Sequence, residues 1–224
     1  MKTLKIIGDS ILKGVVYSPT GRQYSLCKEH RAERMATETV QILNLSKMGA
    51  TVKDGLRNME LDQTPTDENT AVVLEFGGND CNFDWAAISR DPEGEHFPHV
   101  SAEDFADRLR AGIRKVKERG AKAIVALAPP IHTEKFFTFI CKGNDPERIL
   151  RWLKDKGALY RRQEYYMLQA NRVAKEEGCQ VLDLRAPFLP LRDFDRYLCE
   201  DGTHPNALGH GVICQEVRRL VEAL

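Results

Sequence analysis

Four short segments carry residue types that can activate a nucleophile or stabilise an oxyanion. Gly8-Asp9-Ser10 closes an apolar run near the N-terminus. A serine placed there can project its hydroxyl into the open space beyond a strand end, where a nucleophile has to sit. Asp201-Gly202-Thr203-His204-Pro205 puts a carboxylate and an imidazole three residues apart near the C-terminus. That spacing can bring Asp201 to one ring nitrogen of His204 and leave the other facing outward, the relation between a base and its orienting acid. Between these lie Asn44 to Gly49, whose glycine can offer a backbone N–H at close range, and Gly77-Gly78-Asn79-Asp80, where Asn79 can offer a side-chain amide. Each segment alone reads equally as a turn or a solvated loop. Taken in chain order they supply a nucleophile, two oxyanion donors and an acid–base pair.

Other chemistries fit less well. Neither glycine loop has the helix-opening G-x-G-x-x-G spacing or a following Walker lysine, which disfavours nucleotide binding. His30, His96, His99, His132 and His210 have no partner pattern, and His96 with His99 lacks a third metal ligand at a recognisable spacing. The six cysteines form no C-x-x-C pair and are too scattered for a disulfide scaffold, so they read as small hydrophobes in a reducing compartment. The chain has 224 residues with 33 Lys+Arg against 33 Asp+Glu, a formal net charge of +0, which excludes attraction to nucleic acid by bulk charge. Hydrophobic residues at 42% and charged residues at 29% are those of an ordinary globular protein, and the length suits a single domain over residues 1–224. Lys5, Asp9 and Lys13 interrupt the apolar stretch at residues 2–16 before it reaches the roughly seven residues of a signal-peptide core. No run approaches the ~18 apolar residues of a membrane span. The reading is a cytoplasmic protein with no nucleic-acid or membrane partner; oligomeric state stays open.

The elements that must position the four segments follow from periodicity. Continuous apolar runs at residues 4–7, 39–45, 71–76, 123–128 and 180–184 suit strands buried on both faces. Helical spacing predicts helices over residues 51–61, 101–119, 159–177 and 206–224. The clearest is 101–119, with Ser101 and Asp104 as a capping box, Phe105, Leu109, Ile113 and Val116 on one face and Gly120 as the stop. Alternating strands and helices mean a parallel sheet with helices on both faces, and such sheets do their chemistry beyond the carboxyl ends of the strands. Two long connections, residues 81–100 and 129–157, are candidates for pocket walls.

The joint pattern resembles the SGNH hydrolase superfamily, also called GDSL-like lipases and esterases. Gly8-Asp9-Ser10 matches its first block, Asn44 to Gly49 the second, Gly77 to Asp80 the third and Asp201 to His204 the fifth, so the match runs from residue 8 to residue 204. Ile11 stands where the name-giving leucine would be, and the connection at residues 133–157 is long for a minimal member. The resemblance implies an α/β fold, a flavodoxin-like three-layer α/β/α sandwich on a five-stranded parallel sheet. It implies Ser10 as nucleophile, His204 as base and then acid, and Asp201 as the residue that orients the imidazole. The Ser10 and Gly49 N–H groups and the Asn79 amide would form the oxyanion hole. The implied activity is hydrolysis of small-molecule acyl esters, such as acetylated carbohydrates or short-chain lipids, without cofactor or metal. An acyltransferase on the same site, or a non-catalytic binding module, is the alternative.

Trp85, Phe136, Phe137 and Phe139 are candidate pocket residues, although the three phenylalanines would equally pack a sheet edge. The neutral total also hides a division: residues 142–162 carry seven basic and three acidic side chains, a net of +4, and residues 183–201 carry a net of −2. A basic segment beside the site makes an anionic substrate group an expectation to examine.

Overall fold

In the computed structural model, which describes residues 1–20 and 23–224, five strands form one parallel sheet. They are β1 (Lys2–Gly8), β4 (Val40–Asn44), β5 (Thr70–Glu75), β6 (Lys122–Leu127) and β7 (Gln180–Asp183), in the spatial order β4-β1-β5-β6-β7. The order reverses beside β1, as in flavodoxin-like sheets, and opens a crevice beyond the carboxyl ends of β1 and β5. All six residues of β5 are buried, whereas edge strands β4 and β7 are only partly covered. This is why the inner strands read as unbroken apolar runs. β2 (Val15–Ser18) and β3 (Gln23–Leu26) form a separate antiparallel hairpin.

Eight α-helices, with short 3-10 helices at Ala32–Met35 and Phe194–Tyr197, complete the described fold: α1 (Ser10–Lys13), α2 (Val52–Leu61), α3 (Trp85–Arg90), α4 (Ala102–Glu118), α5 (Thr133–Ile140), α6 (Pro146–Leu153), α7 (Gly157–Glu176) and α8 (Ala207–Glu222). Successive side chains of a strand face opposite sides, so β5 sends Val72 and Leu74 to one core and Ala71 and Val73 to the other. The first core is closed by α2, α4 and α7 and the second by α8, which gives the three layers. Ser101 caps α4 by accepting from the Asp104 N–H at 3.2 Å; the reciprocal capping box stands instead at Thr51 and Asp54 on α2.

The long connections are not loops. Residues 81–100 contain α3 and residues 129–157 contain α5 and α6, and with the start of α7 these build a third apolar cluster around Phe83, Ile131, Ile149 and Leu159. That cluster stands against the site described next. Of the six cysteines, all free, Cys27, Cys81, Cys199 and Cys214 are buried and Cys141 and Cys179 partly so. No helix among the described residues is long and apolar enough to cross a membrane.

Candidate active site

Ser10 is the first residue of α1, immediately beyond β1, and is 5% exposed. Its Oγ lies 2.8 Å from His204 Nε2, and His204 Nδ1 lies 2.6 Å from Asp201 Oδ2. The fully buried Asp201 also accepts the backbone N–H groups of Thr203 (3.2 Å) and His204 (3.1 Å) through Oδ1. A carboxylate so placed accepts from Nδ1–H, which fixes the tautomer and leaves the Nε2 lone pair facing Ser10. The turn is held by an antiparallel bridge between Leu198 and Pro205, by the Cys199 N–H donating to the His204 carbonyl at 2.8 Å, and by Gly202. Gly202 has φ +73°, and a Cβ there would lie 2.4 Å from the Phe136 nitrogen, so only glycine lets α5 close on this turn.

The oxyanion candidates converge on the same place. Gly49 has φ +75°, and neither its N–H nor that of Ser10 has a hydrogen-bond acceptor among the described residues. The Asn79 amide is engaged: Nδ2 donates to Asp9 Oδ2 at 2.9 Å and to the Ala50 carbonyl at 3.1 Å. Donation to an oxyanion therefore requires Asn79 to exchange one of these bonds. Gly49 and Asn79 both line the pocket that holds Ser10 and His204.

Three buried acids underlie these groups. Asp9 Oδ1 caps α1 by accepting from the Ile11 N–H at 2.8 Å, and the Asp9 N–H donates to Glu75 Oε2 at 3.2 Å. Burial raises the pKa of both carboxyls, and Glu75 goes well above the usual range because the charge of Asp9 adds to its own burial. Asp80 holds the Val52 and Gly77 N–H groups at 2.9 Å each, and burial lifts its pKa to about 6.

The pocket has a cavity volume of about 210 Å³ and is walled by Trp85, Ile131, Phe136, Phe139, Leu153 and Leu159. Phe137 is a correction to the expected set. On α5, Phe136 and Phe139 share a face by their i, i+3 spacing, while Phe137 points into the third apolar cluster beneath Lys156. Among the described residues no group of three or more His, Cys, Asp or Glu is arranged to hold a metal ion. His96 and His99 instead contact the carbonyls of Asp91 and Asn79.

A model of the GDSL-like lipase/acylhydrolase family matches residues 6–212. The chain belongs to this family. Solved structures share its fold at low identity. A lipolytic protein of the G-D-S-L family from Veillonella parvula is 16% identical, with all of both chains covered and a TM-score of 0.67. The lipase/acylhydrolase from Enterococcus faecalis is 17% identical over 100% of this chain and 96% of that one, at 0.64. An acetylxylan esterase from Geobacillus stearothermophilus is 18% identical over 97% and 93%, at 0.59. No curated protein sequence matches the chain. Membership makes it an ester-hydrolysing enzyme with a small-molecule ester as substrate.

Some residues at this candidate site were not singled out from the sequence. Tyr24 on β3 lines the pocket, its ring 5.2 Å from that of His204. β3 is exposed throughout, so no apolar alternation marks it. Arg162 lines the far wall. Its signal was helical phase: it sits three residues after Leu159 and four before Tyr166, both buried, so a charge stands on an inward face. Glu75 carried a similar mark as the ionisable residue in the apolar run of β5.

Proposed function

We propose that this esterase hydrolyses small acyl esters through an acyl-enzyme on Ser10. The observation that carries the reading is the unbroken chain from Ser10 Oγ to His204 Nε2 (2.8 Å) and from His204 Nδ1 to Asp201 Oδ2 (2.6 Å), opening on a mainly apolar pocket. Ser10 Oγ attacks the ester carbonyl while its proton passes to His204 Nε2. The new Oγ–C bond leaves an oxyanion, which the Ser10 and Gly49 N–H groups receive without reorganisation. Asn79 adds a third donor by releasing the Ala50 carbonyl, the longer of its two bonds. Collapse of the intermediate breaks the bond to the alcohol oxygen, and His204 returns the proton to that oxygen. Water then attacks the acyl-enzyme, gives a proton to His204, and frees the carboxylic acid as Ser10 recovers its proton. Asp201 holds the ring and stabilises the imidazolium at both stages. A cavity of about 210 Å³ walled by aromatic and aliphatic side chains suits a short acyl or alcohol arm.

Labelling with a fluorophosphonate probe tests the assignment directly. The wild type should label stoichiometrically and Ser10→Ala not at all. A folded wild type that does not label removes Ser10 as the nucleophile.

A further inference from the structure

The basic segment at residues 142–162 spends most of its charge away from the pocket. Lys156 pairs with Glu134 at 2.6 Å, Arg161 with Asp155 at 2.7 Å, and Arg151 reaches Glu93 at 3.9 Å. Arg148 bonds the Arg90 carbonyl, Lys142 lies over the rings of Tyr17 and Phe139, and Lys154 is exposed. Arg162 differs from all of these. It is partly buried on the inward face of α7, it lines the cavity that holds Ser10, and its guanidinium stacks 4.3 Å from the centroid of Phe83. Among the described residues no carboxylate pairs with it and no acceptor receives any of its five N–H donors.

A second arginine in the same region shows what a structural role looks like. Arg185 also lies over an aromatic ring, that of Tyr160, but it is ion-paired with Glu164 at 2.5 Å and bonded to Gln163 Oε1 at 3.0 Å. Gln163 is largely committed as well, its Nε2 donating one hydrogen to the Pro129 carbonyl at 3.0 Å. Among the charged side chains that line the cavity, Asp9 and His204 are hydrogen-bonded, whereas the N–H donors of Arg162 have no acceptor among the described residues. A guanidinium partly withdrawn from water without a counter-ion bears part of its desolvation cost. The contact of the guanidinium carbon with the Phe83 ring offsets part of that cost and leaves the N–H groups available to an anion.

We propose that Arg162 binds a carboxylate on the substrate, so that the preferred esters carry a carboxyl-bearing arm in this pocket. This deepens the esterase reading and rests on it for turnover. Binding alone can be read without it. The carboxylate can belong to either side of the scissile bond, and kinetics separate the two. One pair of substrates is 4-nitrophenyl hemiglutarate against 4-nitrophenyl valerate, with the charge on the acyl arm. The other is 4-acetoxybenzoate against phenyl acetate, with the charge on the alcohol arm.

For the pair that matches, the anionic-to-neutral ratio of kcat/KM should be 10- to 100-fold higher in the wild type than in Arg162→Met, the range expected for one charge-assisted hydrogen-bonded pair. Arg162→Lys, which keeps the charge and loses the fork, should fall between. Comparing ratios removes the intrinsic reactivity of each ester and any general loss of activity. Equal ratios in all three proteins for both pairs overturn the proposal. Calorimetric titration of glutarate into Ser10→Ala, and into Ser10→Ala with Arg162→Met, covers the case in which no ester is turned over. Binding to the first protein and not the second supports Arg162 even if Ser10 is not a nucleophile. No binding to either counts against it.

Discussion

Asp9 and Asn79 are joined by a 2.9 Å hydrogen bond from Nδ2 to Oδ2, and the other oxygen of Asp9 caps the helix that begins with Ser10. One buried carboxylate therefore sets both the proposed nucleophile and a proposed oxyanion donor. Asn79→Ala should lower kcat about 100- to 1000-fold, the usual cost of one oxyanion donor, with little change in KM. Steady-state kinetics on a neutral ester read this, and an unchanged kcat would leave Asn79 as a turn residue bracing Asp9.

Asp9→Asn tests the same link from the other side. An amide cannot accept from both Ile11 and Asn79 through two oxygens, so one of the two bonds is lost whichever way it turns. The expected result is a fall in kcat that is less than additive with that of Asn79→Ala, because the share of the Asp9 effect that runs through Asn79 is lost only once. Full additivity would show that Asp9 acts independently of Asn79.

How far the sequence exposed this arrangement depended on burial. β5 and β6 lie inside the sheet, so their runs at residues 71–76 and 123–128 appear as strands within a residue of the expected limits. The hairpin formed by β2 and β3 escaped because the face of β3 is exposed and carries no period. Ser10, Gly49, Asn79, Asp201 and His204 stand in segments that each read alone as ordinary turns or loops, and it is their joint order along the chain that singles them out as candidates. The pocket wall was not legible in this way. Phe136 and Phe137 are adjacent in sequence, and only the phase of α5 decides that one faces the cavity and the other the satellite core. Arg162 was visible as charge, but its lack of a partner is a property of three dimensions.

Gly202 and Gly49 share a left-handed backbone, at φ +73° and +75°, but differ in their surroundings. Nothing lies within 4 Å of a Cβ built on Gly49, so Gly49→Ala should cost only the left-handed strain, about 1–2 kcal/mol. A Cβ on Gly202 would meet the Phe136 nitrogen at 2.4 Å and the His132 carbonyl at 2.8 Å. Gly202→Ala should therefore lose clearly more stability than Gly49→Ala in urea titrations, and should lower kcat by displacing Asp201 and His204. Equal losses would mean that α5 moves aside freely.

Lys5 is 1% exposed in the middle of β1 and donates to Asp62 Oδ2 (2.6 Å), the Thr64 carbonyl (2.8 Å) and Thr66 Oγ1 (2.8 Å). Lys5→Met leaves the partly buried Asp62 without its cation, held only by Thr64, and should cost up to about 3 kcal/mol. Replacing both residues, as Lys5→Met with Asp62→Leu, should recover much of that loss, because no uncompensated charge remains. Chemical denaturation of the single and double variants distinguishes this from simple loss of packing, for which the second substitution would restore nothing.

His210 gives the fold a pH dependence whose sign is fixed by burial. It is 2% exposed, its Nε2 lies 3.0 Å from the Val15 carbonyl, and burial pushes its pKa down to about 4. In the unfolded chain the imidazole takes a proton near its ordinary value of about 6.5. As pH falls from about 6.5 toward 4, the unfolded state binds that proton first and stability is lost, by roughly 3 kcal/mol at the lower limit. Asp80 works against this trend: burial lifts its pKa to about 6, so the folded state takes that proton first and gains as pH falls through the same range. The wild-type curve sums these with the other shifted carboxyls, Asp9 and Glu75 among them, which makes the difference between the wild type and His210→Gln the useful quantity, since glutamine keeps a donor for Val15 and does not titrate. That difference should shift against the wild type by roughly 2–3 kcal/mol between pH 7 and pH 4.5 in urea unfolding. Parallel curves would show that His210 protonates without opening the fold.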